Sequence, residues 1–195
     1  MTDNTDFIRI VDSQTLSNDF STLKKTIFDY RRRDGTWQQL TRETYDRGDS
    51  TTVLLYNRAR RTVVLTRQFR FPAYVNGVPD GMLLETPAGK NEAESPDTRI
   101  RSEIKEETGY DIGHVTPLFD AFSSPGSITE KVSFFVAEYD ASKRQDEGGG
   151  LADEGEDIEV LEMPLDEALG LIQQGQIQDL KTITLLYHAA LYLFE

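Results

Sequence analysis

Three glutamates crowd one short stretch of the sequence, SEIKEETGY at residues 102–110. Glu103, Glu106 and Glu107 stand at positions i, i+3 and i+4, which share one face if the stretch is helical. Like charges at that spacing repel one another by roughly 0.2–0.5 kcal/mol per pair. The face is therefore either simply solvated or arranged to hold something positive. Mg²⁺ suits such a face because it prefers carboxylate oxygens.

The residues that flank the acidic stretch predict the helix that carries it. Ser95 suits an N-cap and Pro96 suits the first helical position. Gly109 suits the residue that follows the last turn, because glycine tolerates the left-handed conformation found there. We therefore predict a helix over residues 96–108.

Apolar, β-branched runs predict the strands of a sheet. TVLLY (52–56) and TVVLT (62–66) are separated by a short polar segment, which favours a hairpin. Further strand candidates are 133–139 and 158–163, and further helix candidates are 165–175 and 181–194. The acidic, glycine-rich segment 145–157 has no apolar periodicity and is predicted to be a mobile loop that carries function.

The first 50 residues are interpreted as a separate β-rich unit. Asp34-Gly35 is a strong hairpin-turn dipeptide between strand-like stretches. We predict an α+β chain, with an N-terminal antiparallel β-sheet unit over 1–50 and a mixed sheet with flanking helices over 51–195.

Composition argues against several classes of protein. The formal net charge is −13 at pH 7, which opposes a general affinity for nucleic acid. No apolar run reaches the roughly 18 residues that a membrane span needs, and the N-terminus lacks the character of a signal peptide. The chain has no cysteine, so a disulfide framework and thiolate metal ligands are excluded. We expect a cytoplasmic protein that contacts neither nucleic acid nor membrane and holds any anionic substrate with local cations.

The loop and helix around the acidic stretch resemble the Nudix box of the Nudix hydrolase superfamily. The segment begins at Ala88-Gly89, and its helical half carries the family's E-x-x-E-E-x-G pattern. The segments SPGSITE (124–130) and GGGLADEGEDIEV strengthen the match, which is closest to the bacterial GDP-mannose hydrolase branch and covers nearly the whole chain. The resemblance implies a Nudix fold, an α/β/α sandwich.

Two features depart from the usual box. Ser102 stands where the family has an arginine that supports a glutamate, and Arg99 or Arg101 could take over that role. The box is also one residue shorter than usual, as in the GDP-mannose branch, so that its loop glutamate is either Glu94 or displaced.

The resemblance implies a metal shell, a general base and substrate contacts. The metal shell comprises the Ala88 carbonyl and the carboxylates of Glu103, Glu107, Glu156 and, as a further candidate, Glu106. The candidates for the general base are Glu154, Glu130 and Glu156. The implied substrate contacts are Phe20, Arg42, Glu43, Arg70, Gly89, Glu130 and Lys181. Phe20, Arg42 and Glu43 match positions that reach the substrate of a neighbouring subunit, although Phe20 taken by itself favours a core position.

The implied activity is Mg²⁺-dependent hydrolysis of a nucleoside diphosphate sugar, with Mn²⁺ as an alternative ion. GDP-mannose would give GMP and mannose 1-phosphate, and ADP-ribose or another ADP sugar is the alternative substrate. We also expect a homodimer that exchanges its N-terminal sheet, because 1–50 is too small to bury a core of its own. Alternatives of another class are a non-catalytic Nudix module that binds nucleotides and a structural Ca²⁺ site.

Overall fold

The structure is a computed structural model that describes residues 7–91 and 94–194. The chain divides into two compact units. The smaller unit ends at Asp49 and also includes Phe122–Lys131, whereas the larger unit comprises Ser50–Ala121 and the residues from Val132 onward.

The smaller unit is built on an antiparallel three-stranded sheet. Its strands are β1 (Ile8–Asn18), β2 (Thr22–Arg31) and β3 (Trp37–Asp46), which are paired in that order. The turn predicted at Asp34-Gly35 joins β2 to β3, and Gly35 adopts a left-handed φ of 84° there. All of β1 is exposed, so within this unit the sheet has no apolar layer packed over that strand.

The larger unit is built on a mixed sheet. Its strands are β4 (Ser50–Asn57), β5 (Thr62–Phe69), β6 (Met82–Glu85), β7 (Ala88–Lys90), β8 (Thr116–Phe122), β9 (Lys131–Glu138) and β10 (Glu159–Pro164). The order is β10-β5-β4-β9-β8, with β6 paired to β5 and β7 paired to β4. Strand β4 runs antiparallel to β5 and parallel to β9. The hairpin predicted from 52–56 and 62–66 is confirmed, and it places Leu55 opposite Val64.

Four α-helices accompany this sheet in the described ranges. They are α1 (Phe71–Val75), α2 (Pro96–Thr108), α3 (Leu165–Gln173) and α4 (Leu180–Tyr192). The three predicted helices are confirmed as α2, α3 and α4, and the short α1 was not predicted. Over residues 7–91 and 94–194, no helix is long and apolar enough to cross a membrane.

The sheet buries both of its faces, as the alternation of side chains along a strand requires. Val53 and Leu55 of β4 pack with Ile100 and Ile104 of α2. Leu54, between them in the chain, belongs to the opposite layer together with residues of α3 and α4. The result is the predicted α/β/α sandwich, which fixes α2 against one face of the sheet.

Candidate active site

Helix α2 presents the acidic residues from a well-defined frame. Its N-cap is Ser95, whose hydroxyl accepts the Thr98 amide at 3.3 Å, and its C-cap is Gly109 with a left-handed φ of 74°. Both ends therefore lie where the sequence predicts them. Glu103 and Glu107 are buried, with exposed fractions of 4% and 1%. The interpretation of a simply solvated acidic face is therefore wrong for these two residues.

The carboxylate of Glu103 lies directly on the backbone of β7. A Cβ added to Gly89 would lie 1.6 Å from Glu103 Oε1, so only glycine permits this approach. Arg99, one turn earlier on α2, forms an ion pair with the same oxygen. Arg101 instead pairs with Asp97. Of the two arginines considered for the position vacated at Ser102, Arg99 is thus the one that contacts Glu103.

The carboxylate of Glu107 is buried without a hydrogen-bond partner. Among the described residues, neither of its oxygens has one. Burial raises the pKa of Glu107 well above 4.5, the nearby carboxylates of Glu103 and Glu156 raise it further, and Arg70 opposes them. A buried, unpaired carboxylate is costly unless a cation satisfies it, which makes Glu107 suited to hold a divalent metal ion.

Burial and neighbouring carboxylates also raise the pKa of Glu103. Burial raises the pKa of Glu103 from 4.5 to about 7, Arg99 opposes that rise, and Glu106 and Glu156 add to it. Glu156 therefore lies close enough to influence both buried glutamates of α2. Clustered carboxylates with raised pKa values are typical of functional sites.

The acidic loop approaches α2 through its glycines. The amides of Gly149 and Gly150 each donate to a carbonyl in the last turn of α2 at 3.0 Å. The amide of Leu151 donates to Glu156 Oε2 at 2.9 Å. Apart from a short 3₁₀ turn, this segment is irregular, as predicted. The side chain of Glu154 lies outside the part of the chain that the structure describes, so its role as a base stays a prediction.

Two cations and two further carboxylates form a network beside this cluster. Arg70 Nε donates to Glu85 Oε2 at 2.7 Å, and Lys181 Nζ lies 3.7 Å from Glu85 Oε1. Lys181 Nζ also lies 2.7 Å from Asp179 Oδ1. The structure therefore brings together two predicted substrate contacts, Arg70 and Lys181, on one buried glutamate.

Sequence reasoning missed Glu85 and Asp179. Glu85 is buried at the end of β6, and the available signal was an acid that closes the apolar run MLLE. Asp179 caps α4 by accepting the Thr182 amide at 2.9 Å. The Thr182 hydroxyl in turn accepts the Thr86 amide at 2.7 Å, which ties the start of α4 to the segment before Ala88.

The carboxylates available to a metal ion would leave part of its coordination shell free. Across the two described ranges, no three His, Asp or Glu side chains are arranged to enclose an ion by themselves. Mg²⁺ in proteins usually binds through one or two carboxylates and completes its shell with water and substrate phosphates. The free oxygens of Glu107, with Glu103 and Glu156 nearby, fit that pattern. The predicted part of the Ala88 carbonyl and of Glu106 in the shell stays a prediction.

The remaining predicted residues belong to the smaller unit. Phe20 is 91% exposed, so the alternative that it is a core residue is wrong. Arg42 and Glu43 are exposed on β3. Glu130 is 8% exposed and lies 3.8 Å from Arg47.

Comparisons with known proteins agree with the fold. The NUDIX domain family model matches residues 46–186, and the model for the GDP-mannose pyrophosphatase NudK N-terminal domain matches residues 7–45. The GDP-mannose pyrophosphatase of Pectobacterium atrosepticum is 54% identical over 93% of this chain and 93% of its own. Those of Salmonella typhimurium and Cronobacter sakazakii are 47% and 46% identical, over 92% and 94% of this chain and 93% and 95% of their own.

A solved structure described as an ADP compounds hydrolase has the same fold. Its TM-score is 0.70 over 96% of this chain and 94% of its own, and at 19% identity it informs on the fold alone. The NUDIX match covers well over half of the sequence, and highly similar relatives span more than nine-tenths of it. The chain therefore belongs to the Nudix hydrolase family.

Proposed function

We propose that this Nudix hydrolase cleaves the diphosphate of GDP-mannose and releases GMP and mannose 1-phosphate. The observation that carries the reaction class is Glu107, a buried carboxylate beside Glu103 and Glu156 whose two oxygens have no hydrogen-bond partner in the described part of the chain. The choice of GDP-mannose is supported by relatives of that name at 46–54% identity over nearly the whole chain.

Nudix hydrolases generally use divalent metal ions, and we propose Mg²⁺ here, with Mn²⁺ as a substitute. The proposed ligands are the Ala88 carbonyl and the carboxylates of Glu103, Glu107, Glu156 and, as a further candidate, Glu106. When bound, such an ion neutralises phosphate charge and lowers the pKa of a water molecule. The open donor set leaves room for the substrate diphosphate to complete the shell.

The chain's own cations and carboxylates supply the remaining steps. The Arg70 side chain is 40% exposed and that of Lys181 is 24% exposed, so both retain donors for the diphosphate while Glu85 holds them in place. A loop carboxylate accepts a proton from the attacking water, the water oxygen bonds to one phosphorus, and the bridging oxygen leaves with the other phosphate. The candidates for that base are Glu154, Glu156 and Glu130. Local cations thus explain how a chain of net charge −13 can bind an anion.

The N-terminal unit has its own part in the proposal. We assign residues 1–50 to dimerisation and residues 51–195 to catalysis, in a homodimer that exchanges its N-terminal sheets. Phe20, Arg42 and Glu43 would then contact the substrate of the partner subunit. The 91% exposure of Phe20 supports a binding role for its ring, because an aromatic face can stack on a base.

A substrate screen tests the proposed function. Purified protein with Mg²⁺ is incubated with GDP-mannose, ADP-ribose or ADP-glucose, and phosphatase-coupled phosphate release is measured. We expect the highest kcat/KM with GDP-mannose. Equal values for ADP-ribose and GDP-mannose would remove the narrow assignment, and no turnover of any nucleotide sugar would favour a binding module.

Glu107→Gln separates catalysis from mere binding. The amide keeps the size of the side chain but removes the charge that a metal ion needs, so turnover should fall by several orders of magnitude. Glu167→Gln, on the exposed surface of α3, is the matched control and should retain wild-type turnover. Unchanged turnover in Glu107→Gln would contradict the catalytic role.

A further inference from the structure

We propose that Gly148–Gly150, here called the glycine clasp, docks the acidic loop on the end of α2 and thereby positions Glu156 toward Glu103 and Glu107. This inference rests on the proposed function, because Glu156 is one of the proposed metal ligands. It assigns a positioning role to three glycines, which have no side chain that could bind substrate or metal.

The clasp is bonded to the residues of α2 that carry the proposed ligands. A helix leaves its last four carbonyls without partners inside the helix. Gly149 N donates to Glu107 O at 3.0 Å, and Gly150 N donates to Glu106 O at 3.0 Å. The loop is therefore hydrogen-bonded to the backbone of Glu106 and Glu107, which also supply carboxylates of the proposed site.

The other edge of the clasp is bonded to the segment that carries Glu156. Gly149 O accepts the amide of Ile158 at 3.1 Å. Leu151 N donates to Glu156 Oε2 at 2.9 Å, and Glu156 N donates to Leu151 O at 3.2 Å. Ile158 is buried, which anchors the far end of the loop. These bonds connect α2 to both the backbone and the carboxylate of Glu156.

Glycine is required at these positions for two reasons. The φ angles of Gly148, Gly149 and Gly150 are 68°, 117° and 77°, in the region that other residues rarely adopt. A Cβ on Gly148 would lie 2.3 Å from Glu107 O, and a Cβ on Gly150 would lie 2.4 Å from Glu156 Oε2. A side chain would therefore separate the loop from α2 or displace the Glu156 carboxylate.

The clasp also has an energetic role, because the groups that it brings together repel one another. Gly150 N donates to Glu106 O of α2 at 3.0 Å, and the Cβ position of Gly150 lies 2.4 Å from Glu156 Oε2, so the clasp holds the Glu156 carboxylate beside the acidic end of α2. Without attachment, repulsion would favour an acidic loop that stays away from α2. The hydrogen bonds of the clasp offset that repulsion before any cation binds.

A matched pair of variants tests the clasp. Gly150→Ala and Gly155→Ala both place alanine in the same loop at nearly equal φ, 77° and 74°, so they share the left-handed penalty. Only at Gly150 does the new Cβ meet Glu156, because a Cβ on Gly155 would meet no atom of the described, non-adjacent residues within 4 Å. Mn²⁺ affinity without substrate is measured by titration, together with thermal unfolding in chelator.

We expect Gly150→Ala to weaken Mn²⁺ binding by about ten- to hundredfold, and Gly155→Ala to leave it within about twofold of the wild type. Equal Mn²⁺ affinities in the two variants would contradict the proposed positioning role of the glycine clasp. If the wild-type protein binds Mn²⁺ but hydrolyses no nucleotide sugar, the proposed function is wrong. The Mn²⁺ affinities of Gly150→Ala and Gly155→Ala would still test the clasp.

Amide hydrogen exchange tests the clasp without any substitution, in case Gly150→Ala does not fold. In the wild type, the amide protons of Gly149 and Gly150 should exchange as slowly as that of Gly109, which donates to Lys105 O in the last turn of α2. Exchange of the two clasp amides at the rate of an unstructured loop would overturn the inference.

Discussion

At the scale of single residues, the three glutamates of α2 differ because their surroundings differ. Glu103 lies on the Gly89 backbone and pairs with Arg99. Glu107 is buried with no partner among the described residues. Glu106 is only partly buried, and its carbonyl accepts from the acidic loop. Identical side chains within one turn of helix thus have different tasks, which the position of each on the helix surface determines.

Arg99→Gln should impair the site more than Arg101→Gln. Arg99 lowers the pKa of Glu103, so its loss should leave less of that carboxylate ionised and reduce Mn²⁺ affinity by about tenfold or more. Arg101 pairs with the half-buried Asp97 on the same helix and is the control, whose loss should cost at most about 1 kcal/mol of stability and no affinity. Metal titration of both variants checks this, and equal affinities would contradict it. Adding Ser102→Arg to Arg99→Gln should restore binding if an arginine there reaches Glu103.

The raised pKa of Glu103 has a consequence for stability. Between pH 4.5 and about pH 7, Glu103 keeps its proton in the folded chain but has lost it in the unfolded chain. The free energy of unfolding of the metal-free protein should therefore fall as the pH rises through that window, by at most about 3 kcal/mol from this group, because solvent screens part of the effect.

Glu103→Gln isolates this effect, because the amide does not titrate. Thermal unfolding in chelator, from about pH 5 to about pH 8, should show the wild type losing stability relative to Glu103→Gln. Added Mg²⁺ should stabilise the wild type more at the upper end of the range, since the ion needs ionised carboxylates. A wild type that gains stability relative to the variant as the pH rises would show the sign to be wrong.

At the scale of elements, capping residues and apolar runs predicted the helices and strands that depend on local sequence. The capping residues Ser95 and Gly109 placed both ends of α2, and the apolar runs placed the β4–β5 hairpin. The short α1 has no buried residue, so its sequence has no apolar periodicity from which the helix could be predicted. The docking of the acidic loop and the burial of Glu85 depend on contacts between distant segments, which no window of sequence contains.

The close packing of β7 on α2 gives a test at this scale. Gly89→Ala would place a methyl group 1.6 Å from Glu103 Oε1, so the Glu103 side chain must turn away. Displacing a flexible side chain costs about 1 kcal/mol, so the protein should fold while its metal affinity falls. Gly113→Ala is the control, because among the described, non-adjacent residues a Cβ there meets nothing within 4 Å, and its φ is unremarkable. Titration with Mn²⁺ and thermal unfolding of both variants check the prediction, and unaltered affinity in Gly89→Ala would contradict it.

At the scale of the whole molecule, the smaller unit differs from the rest of the chain in charge and burial. Its described residues include nine basic and eight acidic side chains, although the chain as a whole has a net charge of −13. Ile10 and Val11 of β1 are 64% and 53% exposed. A nearly neutral sheet with an uncovered apolar strand can pair with a second copy without strong repulsion, which supports the proposed homodimer.

Mixing two inactive variants tests both the dimer and the substrate contact across it. Glu107→Gln removes the proposed metal ligand, and Arg42→Ala removes the proposed contact with the partner's substrate. If one subunit supplies Arg42 to the site of the other, a mixed dimer contains one intact site, and random exchange should restore about a quarter of wild-type activity. If Arg42 acts within its own subunit, each site retains one defect and mixing restores nothing. Light scattering should show a dimer for the wild type and for both variants. Monomers at assay concentration would contradict the proposed homodimer directly.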